Sequence, residues 1–492
     1  MSFLGIDLGT GSLKAAIVDE LGREQAVSSV AYALDTPHAG WAELDVRTWW
    51  RALVDAMAGL PRDLRDGVRA IGLSGQMHGV VLTDAAGEAV RPAMLWPDSR
   101  ALDLLDAWPE PQPNSVAPGM AGPLLRWIVR HEQQTARRTR WALQPKDWLR
   151  VTLGGAWVTD PSDACATALA NPAGVWDTAL LERLDIPRAW FAPLASSYAA
   201  SGALSQQAAQ ALGLRAGIVL ATGAGDTPCA ALGGGLSRDG DALLTTGTGG
   251  QIVVLADHEP AAFKGLHRYR AATDHWYRMA AMQNVGIALE RVRAWLSYEW
   301  ADAYREAFSE SANDSASQAA DTKPDASSCV TFLPYLSGER TPWLNPQARG
   351  GWLGLSLEHT RGAMMRAAFE GVAFSLRAGL DAIRASGAPV AALKLAGGGS
   401  VDARWRQLLA DALDVELHAV ECPNAAPRGA AILGALAYGH WQPRDLAALA
   451  PHATRVAGPR GDAALAERYA RFLDLYGRVE PWFGGTPRAD LR

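Results

Sequence analysis

Two short glycine–threonine turns, one in each half of the chain, constrain the fold more than any other feature. Phe3-Leu4-Gly5-Ile6-Asp7-Leu8-Gly9-Thr10-Gly11-Ser12-Leu13-Lys14 leads into the apolar run Ala15-Ala16-Ile17-Val18. Ala242-Leu243-Leu244-Thr245-Thr246-Gly247-Thr248-Gly249-Gly250 leads into Ile252-Val253-Val254-Leu255. Both read as strand, tight turn, strand. Their small residues let backbone N–H groups approach an anion closely, with hydroxyls beside them. One such turn is an ordinary hairpin. Two at matching places predict a duplicated fold that closes over the phosphates of a nucleotide.

The first turn is neither a P-loop nor a dinucleotide fingerprint, because Gly11 leads into a strand and not a helix. Asp7, at the strand end beside it, would repel phosphate unless a cation such as Mg²⁺ stood between them. Lys14 adds positive charge there, or is an ordinary surface lysine. These features together point to a kinase.

At 492 residues the chain exceeds one ordinary core, so two domains of roughly 240 residues each are expected. The boundary is placed between residues 235 and 236, with the last helices open to packing back on the first domain. Hydrophobic residues make up 49% and charged residues 20%, as in globular proteins. A net charge of -6 and the lack of a long basic run argue against nucleic acid. No apolar stretch is long enough to span a membrane, and the first residues go straight into a strand pattern rather than a leader. Cys165, Cys229, Cys329 and Cys422 lack the spacing of a zinc site or disulfide framework, which predicts reduced thiols in the cytoplasm.

The first half alternates strand and helix signals. Residues 46–54 have helical spacing, and 68–74 read as a buried strand ending at Gln76-Met77-His78-Gly79. Residues 100–215 read as mostly helical, and 217–223 as a strand running into Asp226. The second half adds a long helix from Val285 to about Phe308, a polar excursion over 309–328, and an amphipathic helix from Thr360 to about Ser386. Next come a strand at 393–396, a turn Gly397-Gly398-Gly399-Ser400 and a helix from Asp402. The alternation predicts an α/β fold with a mostly parallel sheet, duplicated.

Asp226, at a strand end where α/β sheets bind ligands, is a candidate base for phosphoryl transfer to an alcohol; an N-cap is the alternative. Gln76, Met77 and His78 suit a small polyol, or serve as structural hydrogen bonders. Trp96-Pro97-Asp98-Ser99-Arg100 offers an aromatic wall and charges, or a local salt bridge. Three consecutive glycines at 397–399 exceed what a bare turn needs and suggest a ligand. Leu336-Ser337-Gly338-Glu339-Arg340-Thr341-Pro342 is a charged loop near a cleft or an exposed turn.

Taken together these residues resemble the FGGY carbohydrate kinases of the sugar kinase–actin–Hsp70 superfamily, and within them most the xylulokinase branch. The resemblance runs from Phe3 to about Gly439. It is carried by Gly5 to Thr10, Trp41-Ala42-Glu43 with Trp49-Trp50, 75–79, Pro145 to Arg150, Gly225-Asp226, Thr246-Gly247-Thr248, 332–342 and 397–399. It implies two actin-like (ribonuclease H-like) domains around a deep cleft, with ATP and Mg²⁺ as cofactors and a ketose as the small-molecule partner. The implied reaction is D-xylulose to D-xylulose 5-phosphate, with Asp226 as general base and Asp7 organising Mg²⁺. Gln76, Met77, His78, Trp96 and Asp98 would meet the sugar. Thr10, Gly11, Ser12, Lys14, Gly247 and Thr248 would line the phosphates, and Gly397, Gly398, Gly399 and Asp402 the adenosine. The chain departs from the family pattern at Pro97 and Thr227, both expected near the sugar, which keeps D-ribulose and L-xylulose as alternatives. A non-catalytic sensor is the competing class, and a homodimer is left open.

Overall fold

The opening turn forms a hairpin in the computed structural model of the chain, which describes residues 1–110, 112, 114–171, 174–309 and 330–484. β1 (Ser2–Leu8) and β2 (Ser12–Asp19) pair antiparallel, and β3 (Glu24–Ala31) extends the meander. α1 (Val46–Ala58) starts at Asp45, whose carboxylate accepts the Arg47 N–H, and buries Trp49, Leu53, Ala56 and Met57 on one face. The chain returns through β4 (Val68–Gly75), parallel to β1. β5 (Ala200–Ala203), β6 (Val219–Ala221) and the short β7 (Ala224–Gly225) complete the first sheet in the order β3-β2-β1-β4-β6-β5, with β7 also on β4. α2 (Ala121–His131), α3 (Pro145–Thr152) and α4 (Gln206–Leu212) lie among the connections, and α5 (Asp226–Gly233) begins directly after β7.

The second half repeats the plan. β8 (Ala242–Thr246) and β9 (Gly250–Ala256) form its hairpin, and β10 (His267–Arg270) and β11 (Trp276–Met282) continue it. α6 (Gly286–Trp295), α7 (Trp300–Ala307) and α8 (Arg361–Ala385) precede β12 (Ala392–Ala396), α9 (Ala403–Leu413), β13 (Glu416–Val420), α10 (Ala425–Tyr438), β14 (Ala453–Ala457) and α11 (Ala463–Phe483). The sheet order is β10-β11-β9-β8-β12-β13-β14. Leu4, Ile6, Trp49, Leu53 and Ile71 share one core, and Ile252, Val254, Met365, Phe369 and Trp405 share another.

α10 packs on the first sheet, and the approach is so close that two sheet positions must be glycine. A Cβ on Gly5 would lie 1.7 Å from the Pro427 carbonyl oxygen, and one on Gly72 would lie 1.7 Å from that of Ala430. The two halves are therefore joined by backbone contact, whereas α11 covers the second half.

Three expectations need correction. The sheets are mixed: β1–β2, β2–β3, β8–β9, β9–β11 and β10–β11 are antiparallel, because each repeat opens with a meander before its crossover strands. The helix expected from Val285 to Phe308 is two helices, interrupted at Ser297, whose φ of 53° is left-handed. Residues 100–215 hold short helices among loops and 3-10 turns rather than a mostly helical stretch. The polar excursion lies outside the described residues except for Ser309. Cys165, Cys229 and Cys422 are free thiols, and Cys329 falls outside.

Candidate active site

The site begins where three neighbouring parallel strands end level with one another. Asp7 and Ala224 both align with Ser74, and Leu8 and Gly225 both align with Gly75. Ser74 Oγ donates to Asp7 Oδ1 at 2.7 Å. Asp226, one residue past β7, opens α5, and its Oδ1 accepts the Thr227 N–H at 2.7 Å. Burial raises the Asp7 carboxyl above its ordinary range, while Ser74 and Lys14 oppose the shift. Asp226 is pushed up to about 7, by burial first and then by the charge of Asp7. Two carboxyls thus share a poorly hydrated corner, and the Asp7 charge disfavours ionisation of Asp226.

A cavity of about 380 Å³ opens above them, at the small end of the range for ligand sites. Met77, His78, Trp96, Thr10, Asp226 and Thr227 form its first-half wall. His78 takes a left-handed φ of 75° and is held by a 2.7 Å hydrogen bond from Nδ1 to the Ala166 carbonyl. A carbonyl only accepts, so Nδ1 carries the proton and Nε2 is left as an acceptor. Burial lowers its pKa, with Arg340 adding to the effect, so the ring is neutral at pH 7. Trp96 Nε1 donates to Thr10 Oγ1 at 2.8 Å, and Thr10 donates to Gln76 Oε1 at 3.2 Å. Gln76 itself is buried and also reaches the Gly9 carbonyl, so it ties the polyol loop to the first turn instead of facing the cavity.

The second half supplies the opposite wall through Gln251, His267, Tyr269 and Arg340, none of which was among the sequence-predicted site residues. The His267 and Tyr269 rings stack at 5.9 Å, as residues two apart on one strand face can. His267 is pushed down to about 4 by burial, with His78 and Arg340 contributing. The Arg340 guanidinium stands 6.0 Å from the Trp96 ring centroid, across the junction between the halves. The charged run 336–342 marked Arg340 in the sequence. The strand residues became recognisable only once the two halves were brought together.

The remaining predicted residues fall into three places. Asp98 is buried off the cavity, with its oxygens taken by the Ala42 N–H and by the Arg100 backbone and guanidinium. That is the geometry of the local salt bridge read as its alternative. Gly11 and Ser12 come after Thr10 around the first turn, and Lys14 lies opposite Asp7 across the hairpin. Gly247, Thr248, Gly397, Gly398 and Gly399 gather on the second sheet, exposed and away from the cavity wall. Gly399 N–H donates to the Thr246 carbonyl at 3.3 Å, and a Cβ on Gly397 would meet that oxygen at 2.1 Å. Asp402 caps α9 by accepting the Arg404 N–H and pairs with the Arg404 side chain.

Family models for carbohydrate kinases match almost the whole chain. The FGGY family N-terminal domain matches residues 2–233 and the C-terminal domain residues 242–438. The chain belongs to the FGGY family of carbohydrate kinases, and as such is a sugar kinase that uses ATP as phosphate donor. Among its relatives is a xylulose kinase of Escherichia coli, 35% identical over 83% of this chain and 84% of its own. A xylulose kinase of Klebsiella pneumoniae is 33% identical over 84% and 85%. A solved structure of a xyloylose kinase from Brucella ovis superposes with a TM-score of 0.89 at 32% identity, covering 98% of this chain and all of that one. Among the described residues, no helix is long and apolar enough to cross a membrane.

Proposed function

We propose that the chain phosphorylates D-xylulose at its C5 hydroxyl, with Asp226 as general base. The observation that carries the reading is Asp226 on the wall of a small cavity beside Met77, His78 and Thr10, with its proton affinity near neutrality. A base with a midpoint near the working pH is ionised in useful amount and still binds a proton well. As the C5 oxygen forms its bond to the γ-phosphorus, the bond from that phosphorus to the β-bridging oxygen breaks. The hydroxyl proton passes to Asp226, and ADP leaves. Because the transition state is loose, in-line positioning and charge stabilisation supply most of the rate.

His78 Nε2 accepts from a sugar hydroxyl, and Met77 presents its thioether against the carbon chain. Trp96, fixed by Thr10, forms an aromatic side wall. Thr10, Gly11 and Ser12 on one half, and Gly247 and Thr248 on the other, offer N–H and hydroxyl donors to the phosphates. Gly397, Gly398 and Gly399 leave the open backbone surface against which adenosine packs.

Mg²⁺ fits this donor set. Asp7 and Asp226 form a like-charged pair that a divalent cation relieves, and no cluster of three or more His, Cys, Asp or Glu among the described residues forms a complete cage. Magnesium is commonly held by one or two carboxylates with substrate phosphates completing its shell. Asp7 would hold it, and it would neutralise charge on the transferring group.

The test is Asp226→Ala. Sugar-dependent ADP release is expected to vanish while ATP binding by calorimetry stays near wild type. Substantial turnover in that variant removes Asp226 from the role of base.

A further inference from the structure

Behind the cavity floor lies a buried ionic cluster that takes no part in binding or proton transfer. Lys146, Asp147 and Arg150 come from the helix Pro145–Thr152, and Asp160 and Asp163 from the next short helix and its cap. All five side chains are at most 1% exposed. Lys146 Nζ lies 2.7 Å from Asp147 Oδ1, 3.0 Å from Asp160 Oδ1 and 3.1 Å from Asp163 Oδ2. Arg150 Nη1 holds Asp147 Oδ1 at 2.7 Å and the Thr222 carbonyl at 2.6 Å. A buried cluster of this kind gains little stability over apolar residues of the same volume, so its presence asks for another role.

Its contacts lead to the reacting carboxylate. Asp160 Oδ2 accepts from Ser162 N–H at 3.0 Å, Ser162 Oγ at 2.6 Å and Ser197 Oγ at 2.7 Å. With its proton committed to Asp160, the Ser162 hydroxyl accepts the Gly225 N–H at 3.1 Å. Gly225 immediately precedes Asp226. On the other flank, a Cβ on Gly75 would lie 3.0 Å from Lys146 Cβ, so the same lysine presses on the strand end that carries Met77 and His78. A Cβ on Gly225 would strike Met77 Cγ at 2.6 Å and meet Asp163 Oδ1 at 3.4 Å.

We propose that Lys146, Asp160 and Ser162 are positioning residues: Lys146 anchors Asp160, Asp160 orients the Ser162 hydroxyl, and that hydroxyl fixes the Gly225 backbone that aims Asp226. This rests on the reading of Asp226 as base. Charge balance fits a rigid device. Two cations face three carboxylates, and neither Asp163 oxygen has a hydrogen-bond partner, Oδ2 standing only in the ion pair with Lys146. The Asp163 pKa is raised well above the ordinary range by burial, with Lys146 opposing and Asp160 and Asp147 adding.

The experiment compares Ser162→Ala with Ser197→Ala. Both remove one buried hydroxyl from Asp160, and only the first releases Gly225. Ser162→Ala is expected to lower kcat about tenfold, as a small misalignment of a reacting group can, with the KM for ATP unchanged. Ser162→Cys, a weaker acceptor in the same place, gives an intermediate kcat. Ser197→Ala keeps the wild-type kcat although it melts earlier. Equal kcat losses in the two alanine variants, or none in Ser162→Ala and Ser162→Cys while Asp226→Ala is inactive, overturn the proposal and leave the base intact. Turnover in Asp226→Ala instead strikes the reading on which it rests.

Discussion

Moving the pH from 6 to 8 is expected to raise kcat/KM for D-xylulose about tenfold. The cause is Asp226, whose midpoint of about 7 comes from burial and the Asp7 charge. A base of that midpoint is about one-eleventh ionised at pH 6 and about ten-elevenths at pH 8, and only the ionised fraction accepts the hydroxyl proton. A carboxylate at the ordinary value of about 3.9 would be fully ionised throughout and give a flat profile. The assay couples ADP release to NADH oxidation, with D-xylulose and MgATP both well below saturation so that the free enzyme is reported. Asp7→Asn removes the like charge and shifts the limb to lower pH, but not to the ordinary value, because burial is the larger cause. Whatever activity Asp7→Asn loses through the metal alters the height of the profile, whereas the ionisation of Asp226 sets its midpoint. A wild-type profile flat between pH 6 and 8, with the coupling enzymes shown not to limit, would refute the reasoning.

The electrostatics of the buried cluster and of the junction carry further expectations. Lys146→Met leaves the buried carboxylates without their shared cation and should cost about 3–5 kcal/mol of stability by chemical denaturation, whereas Asp163→Asn, a neutral isostere, costs much less. Because the folded state holds the Asp163 proton to higher pH than the unfolded chain, it binds more protons above about pH 4, and stability falls as pH rises through that window; Asp163→Asn should show a shallower fall than wild type. Arg340→Ala removes the cation facing Trp96 across the junction. It is expected to raise the ketose KM roughly three- to tenfold, in line with a cation–π contact, while the KM for ATP stays unchanged.

The repeated plan was legible because each half announces itself with a hairpin whose turn needs small residues. The long helix Arg361–Ala385 was legible for a different reason. Thr360 caps it by accepting the Ala363 N–H, and a long apolar face runs on from there. The break at Ser297 was not, since neither glycine nor proline marks it and a serine takes the left-handed conformation. Nor was the mixed sheet: strand–helix alternation reports the crossovers but underweights the meanders that begin each repeat.

Within the site, residues beside strand-end turns were readable one by one. Met77, His78 and Asp226 all line the cavity, whereas Gln76 and Asp98 turn inward to bind Thr10 and Arg100. The choice between facing a ligand and facing the protein depends on side-chain direction, which spacing does not encode for irregular loops. His267 and Tyr269 come from an ordinary-looking strand and acquire meaning only through contact between the halves. Lys146 and Arg150 stand in a recognisable motif, but their burial among three aspartates depends on helices brought together by tertiary packing.

The most direct test of the central claim is sugar-dependent ADP release measured across D-xylulose, D-ribulose, L-xylulose and xylitol, with the phosphorylated product identified by ³¹P NMR. The account predicts the highest kcat/KM for D-xylulose and a single 5-phosphate monoester. A preference for another sugar would contradict the substrate assignment and direct attention to Pro97 and Thr227, and no sugar-stimulated release at all would contradict the proposed reaction.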